Sequence, residues 1–223
     1  RVARGDDLGI PSLDQRYDLT RLPRESMREQ LLEPLYRIRA ITGTSDVGFR
    51  APGYTVTDEL LDELAELGVS YDSSVFPCPW YYTSKATILS AMRLFGRTSR
   101  AILDSPRIML GPHRPYRVGR PYTHVGSGLL ELPIQVTPVA RLPYIGTVLA
   151  MLGPKGARML TKMVVGEPLV NLELHGIDGL DQHDDLRLLS RVQRDLLLSY
   201  ERKLAAFSAA IGELVSQGHH PVR

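Results

Sequence analysis

Residues 46–68, DVGFRAPGYTVTDELLDELAELG, contain the signals of a strand, a tight turn and a helix in direct succession. A short apolar run ends at Arg50 and is followed by a Pro-Gly turn. Thr57 is a typical N-cap ahead of two acidic residues and four leucines at helical spacing, and Gly68 is a typical helix stop. A second strand-like run begins at residue 69, so this stretch predicts a β-α-β unit with parallel strands.

Helical and strand-like segments alternate along most of the chain, which indicates an α/β fold. We predict helices near residues 22–41, 57–67, 84–95, 144–165 and 199–216, with a break in the fourth at Gly153-Pro154. Besides the strand ending at Arg50, we predict strands at residues 7–10, 69–75, 129–133 and 169–175. The connection over residues 104–128 is long and rich in Pro, Gly, Arg and Tyr, which is typical of a functional lid or a mobile segment.

The composition excludes several classes of protein. With 223 residues, we expect a single domain, residues 1–223. Lys and Arg total 27 against 25 Asp and Glu, a formal net charge of +2, so we expect no nucleic-acid partner. The single cysteine, Cys78, rules out an intramolecular disulfide and a cysteine-rich zinc site. No apolar run reaches the roughly 18 residues that a membrane span needs, and with no signal-like stretch visible the compartment stays open.

Two segments end in groups suited to acid or charge chemistry. In residues 169–175, LVNLELH, side chains of a strand would alternate, so Asn171, Glu173 and His175 are expected to share one face. Such groups form an active site, make buried hydrogen bonds or point to solvent from an edge strand. Arg50 ends its strand before a sharp turn, where its guanidinium can hold a carboxylate or form a surface ion pair. Because reactive groups of α/β folds lie at the carboxyl ends of strands, we predict two walls of one active site.

Four segments, in this order and at these intervals, resemble the polysaccharide deacetylases of the NodB-homology group, carbohydrate esterase family 4. They are GFRAPGY at residues 48–54, YDSSVFP at 71–77, ELP at 131–133 and LELH at 172–175. The resemblance covers nearly the whole chain and implies a distorted (β/α) barrel. It also implies hydrolysis of the N-acetyl amide of a sugar or polysaccharide, with a divalent metal, usually zinc, that activates a water molecule.

The resemblance implies roles for individual residues. Arg50 matches the arginine that orients the catalytic aspartate, and His175 matches the general acid that protonates the leaving amine. The expected partner is an N-acetylated sugar or glycan. Four further positions are expected to bind this substrate: Tyr54, Asp72, Glu131 and Glu173.

The segment where the family binds its metal departs from the pattern. In residues 10–20, IPSLDQRYDLT, Ser12 stands at the hydroxyl position of the His-Ser/Thr-x-x-His motif, so Pro11 and Gln15 occupy both histidine positions. Proline has no side-chain donor atom, and a neutral amide is a poor zinc ligand. The paired aspartates that supply the base and the third ligand belong some tens of residues upstream, and Asp6-Asp7 lies too close to Ser12 to replace them. We therefore expect no cofactor in this chain and little or no hydrolysis.

These departures leave several interpretations open. In the first interpretation, the chain is an altered or incomplete metal-dependent deacetylase whose barrel lacks its first and last strands. In the second it is a glycan-binding pseudoenzyme, and in the third a deacylase of a lipid-linked sugar phosphate. An altered coding sequence also explains Pro11 and Gln15, since each is one base change from histidine. Six arginines could grip the phosphate, although a solvated basic loop is the simpler interpretation: Arg97, Arg100, Arg107, Arg114, Arg117 and Arg120. The acidic cluster at residues 178–185 is expected to be a solvated loop and not a metal site.

Overall fold

The computed structural model describes residues 8–184 and 194–221. The chain divides into two compact units between Pro133 and Ile134. The described part of the first unit contains five strands and three α-helices: β1 (Leu8–Ile10), α1 (Arg24–Thr42), β2 (Val47–Phe49), α2 (Asp58–Glu66), β3 (Tyr71–Asp72), α3 (Pro79–Leu94), β4 (Tyr116–Val118) and β5 (Val125–Glu131). The described part of the second contains the helices α4 (Gly146–Lys162) and α5 (Tyr200–Ser216). No described helix is both long and apolar enough to cross a membrane.

The strands of the first unit form one mostly parallel sheet in the order β1-β2-β3-β5-β4. Each neighbouring pair from β1 to β5 is parallel, and β4 pairs antiparallel with β5. The predicted α/β class is confirmed by this arrangement of strands and helices. Residues that are Cα partners in adjacent strands lie on the same face of a sheet. One such row crosses all five strands: Ile10, Phe49, Asp72, Glu131 and Tyr116.

The helix α2 forms as its sequence predicts. The Thr57 hydroxyl accepts a hydrogen bond from the Leu60 amide at 3.3 Å and so caps the first turn. Leu60, Leu61 and Leu64 are buried in the hydrophobic cluster of the first unit, which also takes three residues of α1. Burying a leucine side chain contributes about 1.5–3 kcal/mol. These contacts anchor the helix that follows the turn after Arg50.

A β-hairpin occupies much of the long connection over residues 104–128. Tyr116 and Val118 of β4 are buried and the residue between them is exposed, which is the alternation of a strand with one covered face. The two strands approach closely, because a Cβ at Gly126 would lie 2.5 Å from Gly119 Cα. This half of the connection is therefore part of the sheet, and the interpretation of the connection as a functional lid or a mobile segment stays a prediction.

The second unit is built on the packing of α4 against α5. Tyr144 and Leu149 are fully buried in its hydrophobic cluster, together with Ala206 of α5. The predicted break in α4 is confirmed, because Gly153 has φ 68° and ψ −179°, outside the helical region. The predicted closing helix corresponds to α5.

Residues 169–175 do not form the predicted strand. Only Glu173 has a strand-like pairing, a single parallel bridge to Ile145. The Glu173 carbonyl accepts from the Gly146 amide at 2.8 Å, and the Asn171 carbonyl accepts from the Gln135 amide at 3.2 Å. A strand requires a continuous ladder with a neighbour. These isolated hydrogen bonds fix an extended segment but build no ladder, so the strand prediction is wrong.

Candidate functional site

Arg50 is held at the carboxyl ends of three parallel strands of the first unit. It follows β2, and its Nε donates to the carbonyl of Ser73, just after β3, at 2.9 Å. Its Nη2 donates to Ser73 Oγ at 2.7 Å, and Ser73 Oγ donates to the carbonyl of Leu132, just after β5, at 2.9 Å. The planar guanidinium is therefore fixed by two donors that both reach Ser73, a geometry that a lysine could not reproduce.

Two carboxyl groups face each other beside Arg50. Asp72 and Glu131 are Cα partners in β3 and β5, and both are fully buried. Burial, and next the neighbouring Asp72 carboxylate, hold the pKa of Glu131 well above its ordinary value. Burial also raises the pKa of Asp72, against the hydrogen bond from Glu131 that lowers it. The surroundings of Glu131 therefore favour the neutral form of its carboxyl group.

The hydrogen bonds around the pair are those expected for a neutral Glu131 carboxyl group. Glu131 Oε1 accepts from the Val75 amide at 3.0 Å. Glu131 Oε2 is buried and has no hydrogen-bond partner in the described part of the chain. As an acid it gains a hydrogen that it can donate to Asp72, which removes the cost of a buried unsatisfied acceptor.

The acid pair also fixes the turn that carries Arg50. Asp72 Oδ1 accepts from the Ser74 hydroxyl at 2.6 Å, and Ser74 Oγ accepts from the Ala51 amide at 2.7 Å. This chain of hydrogen bonds runs from β5 to the residue after Arg50. Asp72 and Glu131 are fully buried and support the turn through these hydrogen bonds. The expectation that they bind substrate stays a prediction.

Tyr54 lies in an aromatic cluster after the same turn. Its ring centroid is 5.6 Å from that of Phe76 and 5.6 Å from that of Tyr81, both in edge geometry. The Lys85 ammonium donates to the Gly53 carbonyl at 2.8 Å and lies 5.8 Å from the Tyr81 ring centroid. Tyr54 and Tyr81 are half-buried, so each keeps accessible ring surface. Aromatic faces of this kind can pack against the apolar face of a sugar ring.

The segment after β1 reaches the same edge of the sheet, but neither histidine position of the family motif in it carries a good metal ligand. Pro11 and Gln15 are exposed, and Gln15 has φ 48°. Ser12 is buried, with its Oγ accepting from the Arg16 amide at 3.0 Å, so its hydroxyl closes a local turn. The described residues contain no group of three His, Cys, Asp or Glu that could hold a metal. Pro11 and Gln15 do not fit zinc, and Asp6-Asp7 lies outside the described residues.

His175 lies in the second unit between two buried acids. Its Nε2 is 3.6 Å from Glu173 Oε1, and its Nδ1 is 4.0 Å from Asp178 Oδ2. Its amide donates to Asp178 Oδ2 at 2.7 Å. The imidazole itself is 51% exposed, whereas the carboxyl groups of Glu173 and Asp178 are 2% and 3% exposed. An accessible imidazole oriented by carboxylates is suited to proton transfer.

The shared face predicted for Asn171, Glu173 and His175 is wrong. Glu173 is buried, Asn171 is half-buried and His175 is exposed, because the segment is not a pleated strand. The structure brings together Glu173 and His175 in the second unit. In the first unit it brings together Arg50, Asp72 and Glu131, with Tyr54 in the following turn.

The acidic loop is more ordered than the sequence indicates. Asp181 accepts from the amides of His183 and Tyr200 at 2.8 and 2.9 Å, and these backbone hydrogen bonds lower its pKa. Lys203 is fully buried and its Nζ donates to the Leu180 carbonyl at 2.7 Å. The prediction of a solvated loop is therefore wrong for Asp178 and Asp181, while Asp185 lies outside the described residues.

Sequence reasoning missed several residues at the sheet edge. Ser73 and Ser74 carry the hydrogen bonds around Arg50, but hydroxyl residues after a strand give no distinctive signal. His113 was missed because β4 was missed. Since β4 runs antiparallel and Tyr116 pairs with Glu131, the half-buried His113 three residues earlier is brought towards the carboxyl end of β5. The alternation of apolar and polar residues in Tyr116-Arg117-Val118 was the available signal.

No family model, no curated protein and no solved structure matches this chain. The class that its fold defines is mixed α/β, with a mostly parallel sheet whose carboxyl edge gathers Arg50 and a buried acid pair.

Proposed function

We propose that this chain is a polysaccharide deacetylase-type domain that binds an N-acetylated sugar or glycan and hydrolyses it slowly or not at all. The observation that carries the proposal is the network at the sheet edge, in which Arg50 spans the ends of β2 and β3 and is supported by a buried acid pair. This is the place where α/β folds bind their ligands. The four ordered sequence segments of the family supply its particular identity.

The strand order supports a barrel of the deacetylase type as part of the proposal. From β1 to β5 the parallel strands are added in one direction along the sheet. Parallel crossovers are right-handed in about 98% of cases, so strands added in one direction receive their helices on one face. A singly wound sheet of this kind is the building plan of (β/α) barrels. The present strands would form an incomplete wall of such a barrel.

A sugar ligand is supported by the chemistry beside Arg50. The half-buried rings of Tyr54 and Tyr81 offer apolar faces, and the guanidinium of Arg50 is held by Ser73 just before the turn that carries Tyr54. The resemblance would make His175, in the second unit, the general acid that protonates the leaving amine, and the carboxylates of Glu173 and Asp178 lie 3.6 and 4.0 Å from its ring nitrogens. Pro11 and Gln15 replace the imidazoles with which the family holds its metal, so the activated nucleophile is the missing part. The groups that remain therefore support glycan binding more than they support hydrolysis.

Metal content, binding and acetate release test the proposal on three forms of the full chain. The forms are the wild type, the double variant Pro11→His/Gln15→His, and the matched control Pro11→Ala/Gln15→Ala. We expect the wild type and the control to retain little zinc after dialysis. We also expect both to bind fully N-acetylated chitotetraose without releasing acetate. The double variant should retain more zinc, because two imidazoles are introduced at the spacing of the motif.

Two results would contradict the proposal in different ways. Near-stoichiometric zinc with acetate release by the wild type would show that the site is intact and the expected impairment is wrong. Failure of all three forms to bind chitotetraose, with unchanged thermal unfolding, would show that N-acetylated glycans are not the ligand.

A further inference from the structure

A second concave site lies in the first unit, apart from the network around Arg50. Its cavity volume is about 390 Å³, within the range of small-molecule sites. It is formed by the residues before α1, the start of α2, the segment before the β-hairpin and the hairpin turn. Its polar wall includes Arg21, Thr57, Asp58, Arg107 and Thr123.

Two arginines at this pocket are available to a ligand. Arg21 and Arg107 are exposed, come from different segments and form no ion pair with any residue that the structure describes. Other arginines of the same basic stretch are already engaged: Arg120 pairs with Asp62, and Arg117 donates to the Gly128 carbonyl at 3.1 Å. Among these arginines of the basic stretch, Arg107 is therefore more available to bind an anion than Arg117 or Arg120.

Two of the three carboxylates that line the pocket, Asp58 and Asp104, are committed to its own wall, and the third, Glu59, is exposed. Asp58 Oδ1 accepts from the Tyr122 amide at 2.6 Å. Asp104 Oδ1 accepts from the Tyr122 hydroxyl at 2.5 Å, and its Oδ2 accepts from the Val56 amide at 3.3 Å. Burial raises the pKa of Asp104, which reduces its tendency to carry charge. These acids brace the hairpin turn, so they oppose an anionic ligand less than free carboxylates would.

Two further donors favour an anion. Thr123 is 6% exposed, and its Oγ1 is buried with no hydrogen-bond partner among the described residues, so the pocket wall contains an unsatisfied hydroxyl. The first turn of α2 also contributes backbone amides that the helix leaves without intrahelical partners. Thr57 Oγ1 caps only the Leu60 amide. The partial positive charge at a helix start favours a negative group.

We infer that this pocket binds the phosphate group of a small phosphorylated molecule such as a sugar phosphate. The planar forks of Arg21 and Arg107 match phosphate oxygens, and hydroxyls and amides supply the remaining donors. The inference does not rest on the proposed deacetylase function, because it concerns different residues and a different readout.

Titration calorimetry on the full chain at 0.15 M salt tests this inference, with glucose 1-phosphate, inorganic phosphate and glucose as separate probes. We expect glucose 1-phosphate to bind and glucose not to bind. Arg21→Gln and Arg107→Gln should each weaken glucose 1-phosphate binding at least about tenfold, because each removes a charged bidentate contact. Arg97→Gln is the matched control, since Arg97 is an exposed arginine of the same stretch that does not line the pocket. It should stay within about twofold of the wild type.

The three probes separate the possible sources of affinity. Binding of inorganic phosphate as well as the ester supports a phosphate site, and tighter binding of the ester adds a contribution from the sugar. Absence of binding by glucose 1-phosphate, equal binding of glucose, or an equal loss in all three variants overturns the inference. Thermal unfolding of each variant, unchanged from the wild type, ensures that a loss of binding is not a loss of fold.

Discussion

Glu131 and Asp72 place two buried carboxyl groups on adjacent strands, where both cannot keep a charge at once. The pKa of Glu131 is raised by burial and then by Asp72, and Arg50 acts in the opposite direction. The pKa of Glu131 depends on the groups that face it. These are Asp72 and Ser74 from β3 and its end, Arg50 from the end of β2, and Tyr116 from β4. Folding therefore takes up a proton at Glu131 over a range of pH where the unfolded chain has lost it.

This proton gives the stability of the fold a defined pH dependence. Because the folded pKa of Glu131 lies above its ordinary value of 4.5, stability is highest below that pH and falls as pH rises towards the folded pKa. Glu131→Gln mimics the neutral acid, so we expect it to lose less stability than the wild type between pH 5 and pH 8. At pH 5 it should differ from the wild type by less than about 1 kcal/mol. Urea denaturation at both pH values measures these differences.

The matched control is Glu29→Gln, because Glu29 is exposed on α1. It should leave the wild-type pH dependence unchanged. Identical slopes for the wild type and Glu131→Gln would mean that Glu131 is ionised in the folded chain.

Part of the site could be predicted residue by residue. Arg50, Asp72 and Glu131 follow or end strands of one parallel sheet, so sequence order alone brings them to one edge. The serine hydroxyls that hold Arg50 could not be predicted, because Ser73 and Ser74 act through backbone positions of other strands. His175 was predicted as the general acid, which stays a prediction, and the hydrogen bond of its amide to Asp178 depends on a local turn that alternation does not encode.

At the scale of elements, α4 depends on a single backbone conformation. Gly153 has a positive φ that is essentially restricted to glycine at its ψ, and a Cβ there would lie 3.3 Å from Arg202 Nη2. We expect Gly153→Ala to destabilise the chain by about 1–3 kcal/mol. Denaturant unfolding followed by circular dichroism measures the loss.

Gly212 in α5 provides the opposite case for comparison. It lies in a regular helix, and a Cβ there would meet no heavy atom within 4 Å. Gly212→Ala should stabilise the chain by about 0.5–1 kcal/mol, because alanine loses less backbone entropy in a helix. Equal effects of the two substitutions would contradict the conformational role of Gly153.

Elements with strong local signals were predictable, and those defined by distant partners were not. α2 has its cap, its acidic first turn and its leucine stripe within twelve residues, so its sequence suffices. Residues 169–175 carry a strand-like alternation, but a strand also needs a neighbour, and the sequence of one segment does not contain it. The hairpin of β4 and β5 was obscured by the glycines and prolines that make its close approach possible.

At the scale of the whole molecule, charge is balanced. The formal net charge is +2, and some surface arginines pair with acids, as Arg16 does with Asp18 and Arg120 with Asp62. Nucleic-acid binding requires an extended field of unpaired positive charge. We expect no change in the anisotropy of a labelled DNA duplex at 0.15 M salt and about 10 µM protein. An affinity that falls steeply with added salt would contradict this expectation.

The antiparallel hairpin has a consequence for how copies of the chain behave in crowded solution. A bare sheet margin is a template onto which another polypeptide can add, and repeated addition seeds fibrils. At the β4 margin the template is only three residues long and carries the exposed side chain of Arg117. A short edge strand with an exposed charge pairs poorly with a strand of another chain. The hairpin is therefore expected to protect the folded chain from aggregation along that edge of the sheet.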